Sequence, residues 1–252
     1  MWRWTLDGPT PPGAVTAQLD GALEELRRPL PERLKLYNAS NFFDRRAVPP
    51  PDLPRIAELA EPFRAVTVES HASMVGPEAL EFSALIAGRL EIAIGLETIH
   101  PVAIAHLNKR LELARFDRAA EFLGAHRIDL RVFVLLGTPY VPAPESIDWT
   151  IRTVEYAAAR GASRIAIIPV RGGNGELERL QATGAFTPPT LAQLEEALER
   201  CLASGSAAVS ADLWDVAHLP GCASCRDARI ARMRRMNVTG HVEARIHCRV
   251  CA

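Results

Sequence analysis

Four of the five cysteines in this 252-residue chain stand in two Cys-x-x-Cys pairs, Cys222/Cys225 and Cys248/Cys251, with residues 226–247 between them. Each pair can set two sulfurs on one side of a turn, and four thiolates satisfy a tetrahedral zinc ion. The gap is slightly longer than in the usual zinc ribbon. An iron–sulfur cluster is the alternative occupant, and four unliganded thiols are the plain one. A closed four-sulfur site leaves no open coordination position, so its role is structural. It would supply folding energy to a segment too short to build a core of its own. His241 and His247 are near enough to ligate, but four cysteines make them unnecessary. Cys201 falls on an apolar helical face and reads as a buried thiol.

The second chemical signal is a set of short apolar runs that end in polar residues. Glu91-Ile-Ala-Ile-Gly-Leu-Glu97-Thr98 alternates Ile92, Ile94 and Leu96 with other residues and ends in a carboxylate. Ala65 to Ser70 does the same at Glu69, and Leu130 to Gly137 runs into Thr138. In a parallel β/α barrel, functional side chains stand at the C-terminal ends of the strands. The bland alternative for each is a helix cap or a hydrogen bond at the barrel mouth.

These runs recur with helical stretches between them. Strand starts fall near 34, 65, 91, 130, 164 and 207. The spacing predicts helices over 14–28, 53–60, 77–88, from Pro101 to about 109, and over 115–126 and 145–160. Thr187-Pro-Pro-Thr190 is a strong helix start, followed by the stripe Leu191, Leu194, Leu198 and Leu202. This β/α rhythm implies a parallel sheet, either barrel or doubly wound. No Gly-x-Gly-x-x-Gly follows a first strand, which disfavours a dinucleotide fold. The expected class is α/β, an incomplete parallel β/α barrel with a small C-terminal four-cysteine metal module. Three segments are expected: 1–30, an irregular start and helix; 31–221, the barrel; and 222–252, the metal module.

Composition bounds the function. Hydrophobic residues make up 48% of the chain, enough for a large core, and the net charge of −1 provides no broad field for nucleic acid. A local basic patch is still open: Arg226, Arg229, Arg232, Arg234 and Arg235 read as a basic helix, either a solvated face or a contact for RNA phosphates or an acidic partner. No run approaches the roughly 18 apolar residues of a membrane span. No secretory pattern opens the chain, so the expected location is the cytoplasm.

Ile94-Gly95-Leu96-Glu97-Thr98, then Leu107-Asn108-Lys109, then Val134-Leu-Leu-Gly137-Thr138-Pro139 and the strand Arg164–Val170 with its glycine-rich exit together resemble the radical S-adenosylmethionine (SAM) enzymes, within their elongator-catalytic-subunit-like group. The resemblance implies an incomplete barrel of six parallel β/α units. It also implies a four-iron four-sulfur cluster held by Cys-x-x-x-Cys-x-x-Cys after the first strand, SAM on the open iron, an electron donor, and a substrate that in this group is sometimes tRNA. RNA would meet the Arg-rich stretch 226–235.

The sequence departs from that pattern at its front. It has no such cysteine triplet, and residues 1–13 do not read as a strand, so the barrel is expected to lack its first strand. Trp2 and Trp4 resemble the chain just after the family's third cysteine, so the natural frame is expected to begin upstream of Met1. A degenerate relative without the cluster is the alternative. As written, the chain should not hold the cluster or generate a radical. The resemblance carries SAM-contacting roles to Asn38 and Ser40, where the family often has Gly-Gly-Glu, and to Glu69 and Glu97 for amino or ribose groups. It further assigns Gly137 and Thr138 to the adenine, and Pro169 with Arg171 to the last such strand end. A non-catalytic zinc-binding scaffold on the same fold is the rival reading.

Overall fold

The computed structural model describes residues 8–38, 41–107, 112–173, 175–205 and 207–251. The element order is α1 (Ala14–Glu24), β1 (Arg33–Leu36), α2 (Leu53–Ala60), β2 (Ala65–Glu69), α3 (Pro77–Leu85), β3 (Arg89–Glu97), α4 (Pro101–His106), α5 (Leu113–Ala125), β4 (Asp129–Leu136), α6 (Ser146–Ala159), β5 (Ala162–Pro169), α7 (Glu176–Ala182), α8 (Leu191–Ser204), β6 (Ala208–Ala211) and α9 (Arg226–Thr239). The strands follow one another across the sheet in chain order, β1-β2-β3-β4-β5-β6. A doubly wound sheet reverses its order at a switch point. An order that never reverses is that of a β/α barrel, and the barrel reading holds.

Internal packing divides the chain into two compact units. The first comprises Met1–Gly95 and Ala114–Arg131. In it β1, β2 and β3 pair in parallel, with Leu34 opposite Val66, Lys35 opposite Thr67, and Thr67 opposite Glu91. Side chains alternate across a sheet, so Val66, Val68, Leu90 and Ile92 share one face and are fully or almost fully buried. Arg33, Lys35, Thr67 and Glu91 share the other. Gly88, which leads α3 into β3, leaves room for the Phe63 carbonyl, 2.6 Å from where a Cβ would sit.

The second unit comprises Leu96–Leu113 and Val132–Ala252. Here β5 pairs β6 in parallel, with Ile165 opposite Val209 and Ile167 opposite Ala211. Helix α8 packs on α6, β5, β6 and α9, burying Leu191, Leu194, Ala197, Leu198 and Cys201. Its start is the one the Thr-Pro-Pro-Thr motif predicts: Thr190 and Gln193 form a reciprocal capping box. β6 stands last in the strand order, and the side-chain amide of Asn237 from α9 covers its backbone. It accepts from the Ala211 N–H and donates to the Ala211 carbonyl, both at 2.8 Å. An edge strand closed in this way has less backbone left to pair with another chain.

The differences from the sequence expectation are local. Helix α1 stops at Glu24 rather than 28, ahead of Arg28 and Leu30, where the prolines that follow disfavour helical geometry. Helix α7 has no counterpart in the expected pattern, as it is short and follows a glycine-rich stretch. The last strand, expected over 207–214, covers only 208–211 as β6. The segments 2–4 and 108–109, and Ser40, lie outside the described residues. Among the described residues no helix is long and apolar enough to cross a membrane.

Candidate functional site

The four paired cysteines meet. Their sulfurs all lie within 4.8 Å of one another, with Cys222 Sγ 3.9 Å from Cys248 Sγ and Cys225 Sγ 3.6 Å from Cys251 Sγ. Zinc–sulfur bonds of about 2.3 Å arranged tetrahedrally separate the sulfurs by about 3.8 Å. Four sulfurs bound to four different irons of a cluster stand farther apart, so the spacing fits one metal ion. Cys225 stands at the N-cap of α9 and is buried, whereas Cys251 is exposed.

The donor set also has the right chemistry. The backbone N–H groups of Val250 and Cys251 draw the Cys248 thiol down to about 7. Cys222 is lowered as well, first by the Ser224 N–H. Cys251, hydrogen-bonded to Cys225 and Cys248, is pushed up to about 12. Without a cation, the sulfurs cannot all ionise side by side. A bound metal removes that conflict, since a coordinating thiol is deprotonated outright.

The arginine run between the pairs is a solvated face only in part. Arg226 donates to the carbonyls of Ala217, Leu219 and Gly221. Arg232 is fully buried and binds Glu195 and Glu199 of α8 at 2.8 and 2.5 Å. Arg229 pairs with Glu195, and Arg235 with Glu243 at 2.8 Å. Arg234 is exposed. Neither Glu195 nor Glu199 stands out from sequence, because both fall beside the leucine stripe of α8 and would ordinarily face water.

Each unit carries strand ends of its own. In the first, Leu36 is opposite Val68, so Tyr37 and Asn38 leave β1 beside Glu69. The Glu69 carbonyl accepts from the Phe42 N–H at 2.8 Å, and Asn41 Oδ1 accepts from the His71 N–H. Burial raises the Tyr37 phenol above its ordinary range, against the opposing pull of Arg131.

In the second unit, Glu97 is 7% exposed and has φ of 64°. The Thr98 N–H donates to the Leu96 carbonyl at 2.7 Å, which makes Glu97 the centre of a γ-turn of the rare, strained hand. Strain of this kind costs on the order of 1–3 kcal/mol and concentrates at functional sites. The turn continues into a rigid corner. Thr98 Oγ1 accepts from the His100 N–H, the Ile99 N–H donates to Thr153 Oγ1, and His100 caps α4. Gly137 leaves β4 at φ 75° and donates to Ser146 Oγ at 2.9 Å. A Cβ on it would come within 2.7 Å of Pro189. The Val170 N–H donates to the Leu136 carbonyl at 2.9 Å, so Gly137 and Thr138 adjoin Pro169 and Arg171 at neighbouring strand ends. Arg171 is held by the Asp212 carboxylate at 3.1 Å. Sequence reasoning did not single out Asp212 or His71. Both closely follow strands, and that position was the available signal.

The catalytic cluster of the resembled family does not fit these residues. Of the five cysteines, four belong to the C-terminal site and Cys201 is buried alone, its thiol pushed up to about 12 by burial.

No protein-family model matches the chain, and no curated protein matches it. Solved structures do. An Elp3 from the archaeon Methanocaldococcus infernus, with an N-terminal deletion, aligns with TM-score 0.61 at 12% identity over 79% of this chain and 52% of its own. Coproporphyrinogen III oxidase (HemN) from Escherichia coli, a radical SAM enzyme, aligns at 0.53 and 11% over 76% and 44%. The chain thus spans about half the length of these two. An HMG-CoA lyase from Bacillus subtilis aligns at 0.51 and 17% over 86% and 67%, so the architecture by itself does not choose a reaction. In its strand order and its structural neighbours, the chain has a parallel β/α barrel fold that it shares with radical SAM enzymes, an Elp3 among the structures it is similar to, and with an HMG-CoA lyase.

Proposed function

We propose that this chain is the ligand-handling body of a radical SAM-type protein with a structural zinc ion in its C-terminal four-cysteine module. The observation that supports the first part is Glu97. A buried carboxylate held on a strained turn at the end of a barrel strand is arranged to meet a donor, and the amino or ribose groups of SAM are such donors. Thr138 offers a polar side chain at the neighbouring strand end, and Arg171 a cation fixed by Asp212, while the space beside Gly137 is taken by Pro189. When bound, SAM and its cluster would supply the radical chemistry. The cluster's cysteines are not among this chain's residues. The substrate is unknown. An RNA substrate would meet α9 at Arg234 and Arg235, the arginines of that helix with exposed side chains.

The second part rests on the sulfur spacing and favours a reading of its own, a zinc-binding scaffold without catalysis. Calorimetric titration of the full chain with SAM separates the two. The first reading expects saturable binding that Glu97→Gln weakens about tenfold or more, the worth of a hydrogen bond to a charged group. Absence of SAM binding in a chain that carries one zinc ion overturns it in favour of the scaffold.

A further inference from the structure

The metal site does not end at its sulfurs. Arg229, one helical turn after Cys225, donates its Nε–H to Cys225 Sγ at 3.2 Å. The same guanidinium pairs through Nη1 with Glu195. Glu195 accepts from Arg232 at 2.8 Å, and Arg232 also binds Glu199. Glu199 accepts two bonds from Arg245, at 3.0 and 2.8 Å. The result is a chain of alternating charge, Cys225–Arg229–Glu195–Arg232–Glu199–Arg245. It starts at the metal site, crosses from α9 to α8 twice, and ends three residues before Cys248. Arg232 also donates to the Glu243 carbonyl. The carboxylates are 5% and 10% exposed and Arg232 not at all, so solvent screens these charges weakly.

Four thiolates around a divalent ion leave an excess of negative charge, and the buried member of the set needs a compensating donor nearby. We propose that Arg229 is an outer-sphere partner of the metal, and that through it metal occupancy fixes how the segment after α9 docks on α8. The proposal rests on the metal reading of the four cysteines. Arg229 is a positioning residue: it holds the sulfur's charge with one edge and the α8 carboxylate with the other. The segment 241–251 is tied by the metal through Cys248 and Cys251, by Glu199 through Arg245, and at Glu243 by Arg232 and Arg235. Filling the first tie orders the others.

The test uses the full chain loaded with zinc or with cobalt(II). Loss of an outer-shell partner costs about 10–100-fold in metal affinity, so Arg229→Gln should release zinc to a chromophoric chelator at least about tenfold faster. In the cobalt form its sulfur-to-metal charge-transfer band should shift, because the sulfur loses an N–H donor, and Arg229→Lys should restore part of both effects. Hydrogen exchange reads the coupling. Removing the metal should raise exchange in 241–251 and along the α9-facing side of α8. Glu195→Gln should loosen the same α8 amides with the metal and its band in place. A wild-type chain that binds cobalt as a tetrathiolate site, with Arg229→Gln unchanged in release rate and spectrum, overturns the outer-sphere role and leaves the metal reading standing. Identical α8 exchange with and without metal overturns the coupling. A wild-type chain with no tetrathiolate spectrum overturns the metal reading and this proposal with it.

Discussion

Each unit buries a charge cluster, and the two are built differently. In the first, Glu91 is fully buried on β3 and its Oε2 gathers Thr67 Oγ1 at 2.8 Å, Arg131 Nε at 2.8 Å and Arg33 Nη1 at 3.2 Å. The partners come from strands β1, β2 and β4, whose backbone ladders fix their spacing. In the second, two carboxylates on α8 face arginines on α9 and on the segment beyond it, with no ladder between them. A helix pair can slide or turn where a hydrogen-bonded sheet cannot. The sheet cluster is therefore fixed by strand pairing, and the helical one relies on its side chains and on the sulfur site at its end.

The largest way to break this contrast is Arg232→Ala. It leaves Glu195 and Glu199 buried with fewer counter-charges, and removing one partner of a buried pair costs about 3–5 kcal/mol. Denaturant unfolding of the full chain should show a loss in that range, with the metal released earlier than in wild type. Glu91→Ala should cost somewhat less, about 3 kcal/mol, since Arg33 is 22% exposed and can turn to water. Its zinc release should not change, because the cluster it breaks belongs to the other unit.

Acid sharpens the comparison with a smaller effect. For Glu91 burial pushes the carboxyl upward, but the Arg131 hydrogen bond and charge, with Thr67 and Arg33, bring it below its usual range. Glu199 behaves alike: burial opposes, and the bonds from Arg245 and Arg232 prevail. A carboxylate whose pKa is depressed by folding contributes stability that is present above its unfolded value, about 4.3, and is lost as pH falls through the folded value. Stability should hold from neutrality to about pH 5 and decline below it. The decline should be shallower in Glu91→Gln, as measured by unfolding midpoints across pH. The smallest effect belongs to Arg234→Gln. That arginine is exposed, so stability should stay within about 0.5 kcal/mol of wild type.

What the sequence disclosed and what it hid follow the same division. The sulfur site was readable because four cysteines in two tight pairs have few alternatives. The sheet was readable because its strands recur as apolar runs, and α8 because Thr190 and the prolines before it mark a start. The charge clusters were not readable. Arg232 meets Glu195 across 37 positions and Arg131 meets Glu91 across 40, and an arginine run looks the same whether it faces water or a carboxylate. The backbone at Glu97 was equally hidden: its position at a strand end was plain, but no residue type there marks the positive φ that leads into the corner of Thr98, Ile99 and Thr153.

That corner separates two properties that usually move together. Glycine enters left-handed space freely, so Glu97→Gly would relax the turn while deleting the carboxylate, and Glu97→Gln would keep the turn's tension while deleting only the charge. A chain that becomes harder to unfold with glycine here, yet handles its ligand worse, would show that selection has retained an uncomfortable backbone for the sake of one side chain.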